Sequence, residues 1–339
     1  MMDKNGERIL NLVSKELSNK KSELEQEGIN CNFELYDIAK YLWNIEISIS
    51  ESNYIEFREF FNKLAYICCT EQLSEKNINV IIDSLSVALE CIGELKKKVL
   101  ITKKCNCCQR YVRYLPLSNY YVEMKKKYGG ETNSRGETLN KYEYTCPVCG
   151  ASDRDRLIIE YLLRRGLPFT DKKTKVLQIA PAASVEYWIR AFCKQVSYES
   201  TDLYMDNVTF KSDIQNMTNI MNDTYDYVIC SHVLEHVKDD LKAMSELERI
   251  IKSNGKVVFL VPIDLNRDGI DEEWGLSEAE NWKRFGQGDH CRAYSKKGLL
   301  ERLEKIFSVE QLGKDYFGTE TYNEQGFSET STLYILGKK

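Results

Sequence analysis

The chain has 339 residues, of which 42% are hydrophobic and 29% charged, with a net charge of −5. That balance excludes a disordered, collagen-like or fibrous chain, and no run approaches the roughly 18 apolar residues of a spanning helix. The mild acidity argues against a protein that lives on phosphate backbones. The N-terminal MMDKNGERIL lacks the apolar centre of a signal peptide. Twelve cysteines in such a chain predict a reducing, cytoplasmic setting, with metal ligands or buried thiols in place of disulfides.

Residues 1–100 contain none of the five prolines. Apolar residues recur there at helical spacing, as in Ile78, Ile81, Ile82, Leu85, Leu89 and Ile92. The pattern predicts a helical bundle with Trp43, Phe57, Phe60 and Phe61 in its core, and a candidate surface for a homodimer or a partner. Residues 101–155 form a cysteine-rich segment, in which Gly129 to Asn140 reads as a mobile excursion. From 156 to 339 strands alternate with helices. A helix with Leu157, Ile158, Tyr161 and Leu162 precedes a strand ending at Ile179, and a helix follows with Val185, Trp188, Ile189 and Phe192. Strands are expected at 196–200, 225–230 and 257–261, helices at 241–251 and 299–307, and closing strands near 308–313 and 331–336. This is the pattern of a doubly wound α/β sheet, whose ligands bind at the carboxyl ends of its strands.

Cys105 and Cys108 form one Cys-x-x-Cys pair, and Cys146 and Cys149, followed by Gly150, form another. Two such turns direct four thiolates at one tetrahedral ion, so the expectation is a structural zinc ribbon with no open coordination position. Cys107 competes with Cys105 for the first bite. Cys31, Cys68, Cys69, Cys91, Cys193, Cys230 and Cys291 read as buried thiols.

Within the α/β half, four features follow the order of a nucleoside-binding sheet. A strand and tight turn cover Val176 to Ser184. Asp202, 24 residues after Gln178, is placed to accept ribose hydroxyls. Asp213 and Ile214 sit where a loop acid meets an adenine. A strand from Tyr225 then delivers Ser231 and His232.

These stretches resemble the class I S-adenosylmethionine-dependent methyltransferases, above all from Asp226 to Val261. The likeness is closer to a subgroup with an upstream Cys-Pro-x-Cys-Gly ribbon, Ala-Pro in the first turn (Ala180-Pro181) and a Gly-Gln-x-Asp-His-x-Arg-x-Tyr segment, here Gly286 to Tyr294. The resemblance implies a seven-stranded Rossmann-like methyltransferase sheet behind the zinc ribbon and the bundle, acting in the cytoplasm on a small molecule or glycan precursor. S-adenosylmethionine would meet Gln178, Ala180, Pro181, Asp202, Asp213, Ile214, Ser231 and His232. Methyl transfer to oxygen or nitrogen needs a base, and His290, oriented by Asp289, and His232 are the candidates. Gln287, Asp289, Arg292 and Tyr294 are expected around the substrate. The first turn departs from the family's acidic and glycine residues, holding Gln178, Ala180, Ala182 and Ser184. A catalytically silent, cofactor-binding scaffold is therefore one alternative. A zinc-ribbon RNA methyltransferase, using Arg110–Tyr114 and Lys125–Lys127, is the other.

Overall fold

The structure, a computed structural model, describes residues 103–130 and 135–339. The bundle expected over residues 1–100 lies outside the described residues. Lys103–Lys339 form one compact unit.

The unit opens on a cysteine-bearing module. β1 (Lys103–Lys104) and β2 (Tyr111–Val112) pair antiparallel around a tight turn. The chain then passes through α1 (Tyr120–Tyr128) and returns to a second turn at Cys146. The two turns are built alike. Cys105 N–H bonds the Arg110 carbonyl, and Cys146 N–H bonds that of Ala151. Each turn closes on a left-handed residue, Gln109 at φ 61° and Gly150 at φ 72°.

The expected mobility of 129–140 is corrected for its described part, because 135–140 is tied to the sheet. The buried Glu137 carboxylate accepts the Tyr334 hydroxyl and pairs with Lys296. Thr138 exchanges bonds with Thr332, and Asn140 bonds the Gly326 carbonyl. Releasing this segment would strand those groups in the interior.

The sheet is entered through α2 (Asp153–Arg164), capped by a reciprocal Ser152–Asp155 box. There follow β3 (Thr174–Ile179), α3 (Ala183–Phe192), β4 (Val196–Asp202), β5 (Phe210–Lys211) and β6 (Tyr225–Ser231). Next come α4 (Asp240–Ile250), β7 (Ile251–Leu260), β8 (Ile270–Glu272), α5 (Glu278–Phe285), β9 (Arg292–Tyr294) and α6 (Lys296–Ile306). The chain closes with β10 (Phe307–Leu312), α7 (Lys314–Phe317), α8 (Thr319–Gln325) and β11 (Leu333–Lys338). Seven strands form one sheet in the order β10-β11-β7-β6-β3-β4-β5, with β11 antiparallel to both neighbours and the other pairs parallel. Successive residues alternate between its faces. Val176, Ile229 and Val258 join a core with Leu157, Val185 and Trp188, whereas Leu177, Val228 and Val257 join one with Met244, Leu247 and Leu303. Helices cover both faces, as expected of a doubly wound sheet. The β8–β9 hairpin, the short β5 and the helices α1, α5, α7 and α8 were not expected from the sequence.

Arg156 joins the cysteine module to this sheet. Fully buried on α2, it donates to the carbonyls of Gln325, Tyr144, Ala151 and Glu143 and lies 3.7 Å over the Tyr114 ring. Arg156→Met should leave those carbonyls without donors and lower the unfolding free energy by about 3 kcal/mol or more. A urea titration should show this as a lower midpoint at unchanged slope; an unmoved midpoint would mean that the module is held on by other contacts.

Candidate active site

The carboxyl ends of β3, β4 and β6 lie side by side and carry the polar residues expected of a nucleoside site. After β3 the chain turns sharply at Ala180, whose φ of 46° lies in the left-handed region that favours glycine. The Ala180 N–H bonds the Thr201 carbonyl on β4 and so holds the turn. Pro181 is buried, and α3 begins at Ala183 with no side-chain cap on its exposed amides. Gln178 is buried, and its amide oxygen accepts the Tyr198 hydroxyl. Asp202 ends β4, where Oδ1 accepts the amides of Tyr204 and Met205. The Asp213 carboxylate is engaged by the side chain and amide of Gln215, and Ile214 is packed in the core. His232, next after Ser231, again has a left-handed backbone, at φ 56°, fixed by its N–H bond to Leu260 O.

Beyond β6 the chain makes a 3₁₀ turn, Leu234–His236, which places Glu235 at the centre of the site. The Glu235 side chain is fully buried. All three histidines of the chain surround it. His232 Nδ1 lies 3.3 Å and His236 Nε2 3.9 Å from Oε1, and the His290 ring stands edge-on to His236 at 4.7 Å. Arg154, at the start of α2, donates to His232 Nδ1 at 2.7 Å. Burial first, and then the Arg154 charge, lower the His232 pKa to about 4. Burial likewise lowers that of His290, with the Glu235 charge opposing it.

Segment 286–294 holds this turn in place, and three expectations are corrected there. Arg292 does not line a pocket: it is buried, with its donors on Glu272 and on the carbonyls of Leu234, Val237 and Lys238. Tyr294 is fully buried, with its hydroxyl on Asp240. Asp289 orients His236, not His290: its carbonyl lies 3.2 Å and its Oδ2 3.3 Å from His236 Nδ1. Gln287 bonds Asp289 at the exposed mouth. Gly288 runs so close to α5 that a Cβ would sit 2.6 Å from the Trp282 indole nitrogen. Arg154 was not singled out from the sequence, and Glu235 and His236 read equally well there as site residues or as a helix salt bridge and a packed core histidine. The signal for these two was the His232-x-x-Glu235-His236 spacing itself.

The four sulfurs of Cys105, Cys108, Cys146 and Cys149 converge within 4.8 Å of one another. Two separations are 3.9 Å, for Cys105–Cys149, and 3.8 Å, for Cys108–Cys146. A tetrahedron of sulfurs about 2.3 Å from a zinc ion has edges of about 3.8 Å. Hydrogen bonds within the cluster, from Cys105 first, lower the Cys146 thiol pKa and raise that of Cys149. The Cys107 sulfur points away, donating to the Ser184 carbonyl at the start of α3. Cys193, Cys230 and Cys291 are buried free thiols, as expected; Cys31, Cys68, Cys69 and Cys91 lie outside the described residues.

A 52-residue stretch is 42% identical to an uncharacterized protein of Methanocaldococcus jannaschii, covering 15% of this chain and 21% of that protein. The chain thus spans about a fifth of the length of the curated relative it matches. Among solved structures, the YcgJ protein of Bacillus subtilis is 11% identical, with a TM-score of 0.34 over 53% of this chain and 98% of its own. A SAM-dependent methyltransferase of Archaeoglobus fulgidus is 15% identical, with a TM-score of 0.35 over 56% of this chain and 95% of its own. One from Aquifex aeolicus is 13% identical, with a TM-score of 0.31 over 52% of this chain and 87% of its own. Residues 151–306 match the family described as a methyltransferase domain. That match covers a little under half of the chain and takes in the turn at Ala180, the end of β4 and the whole Glu235 cluster.

Proposed function

We propose that the chain transfers a methyl group from S-adenosylmethionine to an oxygen or nitrogen of a small molecule or glycan precursor in the cytoplasm. The observation that carries this reading is the left-handed Ala180 turn beside Asp202, with the Glu235 cluster at the end of the neighbouring β6. The residues fit the cofactor. Ala180, Ala182 and Ala183 present only methyl groups where the backbone must approach it, and both amide bonds to Asp202 end on Oδ1. In this reading Oδ2 faces the ribose and Asp213 the adenine, while Ser231 and His232 form the floor.

S-adenosylmethionine, when bound, supplies the methyl group on a sulfonium sulfur. The chain supplies position and a path for the acceptor's proton. His232 is unsuited to take it, because Arg154 occupies its Nδ1 lone pair. His290, neutral through burial and adjacent to the Glu235 charge, is the better placed base. Arg154 remains beside the site, its Nε buried without a partner, as an anchor for an anionic group. The four cysteines would hold a structural zinc, and residues 1–100 would receive a partner or a second copy.

Calorimetry should detect S-adenosylhomocysteine binding, weakened about 10- to 100-fold in Asp202→Ala, as for lost hydrogen bonds to a charged group. No binding to the unaltered chain would sink methyl transfer. Label from methyl-tritiated S-adenosylmethionine should enter the nuclease-resistant, low-mass fraction of a cell extract. Nuclease-sensitive label would move the acceptor to RNA. His290→Ala should keep the cofactor affinity while cutting label transfer by about 10²–10⁴. Metal analysis after a chelator wash should find one zinc per chain, lost in Cys149→Ser; far less zinc in the unaltered chain would exclude the four-cysteine site.

A further inference from the structure

We infer that Glu235, His236 and His290 bind a divalent transition-metal cation at the carboxyl end of β6. Their ligand atoms lie within 4.8 Å of one another. Glu235 is fully buried, yet neither of its oxygens has a hydrogen-bond donor. Such a carboxylate calls for positive charge; the Arg154 guanidinium supplies some of it through space, but its contact ends on His232 Nδ1 and it donates to neither Glu235 oxygen.

The neighbouring imidazoles do not meet that need with a proton. Arg154 can only donate, so its contact makes His232 Nδ1 an acceptor, and that atom offers Glu235 Oε1 nothing from 3.3 Å. The Asp289 carbonyl can only accept, so it fixes the His236 proton on Nδ1. With that contact on Nδ1, His236 Nε2 is the ring nitrogen that faces Glu235 Oε1, 3.9 Å away and beyond hydrogen-bond reach. Ring nitrogens that face a buried carboxylate with no hydrogen bond between them are an arrangement that a bound cation resolves.

Two imidazoles and one carboxylate suit zinc, iron(II), cobalt(II) or manganese(II), not the all-oxygen preference of calcium or magnesium. The Asp289 carbonyl on His236 Nδ1 is the outer support that metal-bound histidines usually have. Metal–ligand bonds of about 2.0–2.2 Å would draw the three groups together by side-chain rotation. His236 is 30% exposed, which leaves a route in from solvent. Three protein ligands leave a position open for an oxygen of the acceptor, whose hydroxyl proton the cation would make more acidic. This role rests on the methyl-transfer reading, and with the cation bound His290 is a ligand and not the base; the binding itself rests on neither.

The test is a manganese(II) titration of the full chain after a chelator wash, followed by electron paramagnetic resonance and calorimetry. One saturable site per chain is expected, weakened about 100-fold or more in Glu235→Gln and in His290→Asn. Circular dichroism of both variants would establish that they fold. Cobalt(II) bound at the same site should lack the intense thiolate absorption of a cysteine site. The inference is overturned if neither ion binds saturably, if both folded variants bind as the parent does, or if the cobalt spectrum shows thiolate bands. Absent cation binding with intact S-adenosylhomocysteine binding would leave methyl transfer standing with His290 as a free base. Cation binding without S-adenosylhomocysteine binding would leave the metal site standing alone.

Discussion

A guanidinium deep in the interior fixes where the cysteine module sits relative to the sheet. Arg156 spends its donors on four backbone carbonyls drawn from two parts of the chain: Glu143, Tyr144 and Ala151, all near the second cysteine turn, and Gln325 at the end of α8. Ala151 O serves both Arg156 and the N–H of Cys146, so a single carbonyl links the charge to the cysteine turn. Gln325 completes the joint, accepting from Asn106 N–H and Tyr114 and donating to Lys104 O. Four thiolates around a dication would leave a net negative charge, and a buried cation close by is the matching sign. The same module reaches the start of α3, next to the turn after β3, because Cys107 bonds Ser184 O and the Ser184 hydroxyl bonds Asp155. The module is therefore part of what holds α3 in place.

On the other side of the site, side chains that look functional in sequence act as fasteners. Cys291 N–H bonds Glu235 O, and Arg292 reaches Leu234 O and Val237 O. The turn carrying Glu235 and His236 is thus sewn to the segment carrying His290. Asp240 extends the seam by accepting Tyr294 and Arg302, and Arg302 also pairs with Glu272. The backbone on both sides of the Glu235 turn is thus held by contacts within the chain, leaving the side chains that face the site free to rotate.

The sheet was legible because its strands are apolar runs and its helices carry regular stripes; the alternation of Val257 and Val258 between two cores is the physical form of that signal. The convergence of the four cysteines was legible because each Cys-x-x-Cys turn brings two sulfurs to one point. Arg292 and Tyr294 were misread because sequence shows that polar groups are dense but not which way their donors face. Here they turn inward, Arg292 onto carbonyls left open by a 3₁₀ turn and Tyr294 onto the Asp240 carboxylate. Glu235 stayed open between a salt bridge and a site role for a related reason: a Glu in a local stretch usually faces water, and only the fold makes this one a buried carboxylate. α5 was missed because its apolar content is limited to Trp282 and Phe285 within a polar stretch.

The glycine-poor first turn can be weighed on conformation. Glycine is common at such turns because it reaches φ > 0 without strain, and an L-residue there costs about 1–2 kcal/mol. Ala180 takes that conformation all the same. His232 does so too, at the end of the adjacent strand, where Ile179 and Cys230 are paired neighbours. Each strained residue is held by a main-chain bond to the next strand outward, Ala180 to Thr201 and His232 to Leu260. The replacement of glycine therefore changes the energy of the turn and leaves its shape. Two strained residues side by side on the edge that carries Asp202 and Glu235 indicate a site whose geometry the rest of the sheet enforces. The alanine keeps a glycine conformation because the main-chain bond to Thr201 holds it there.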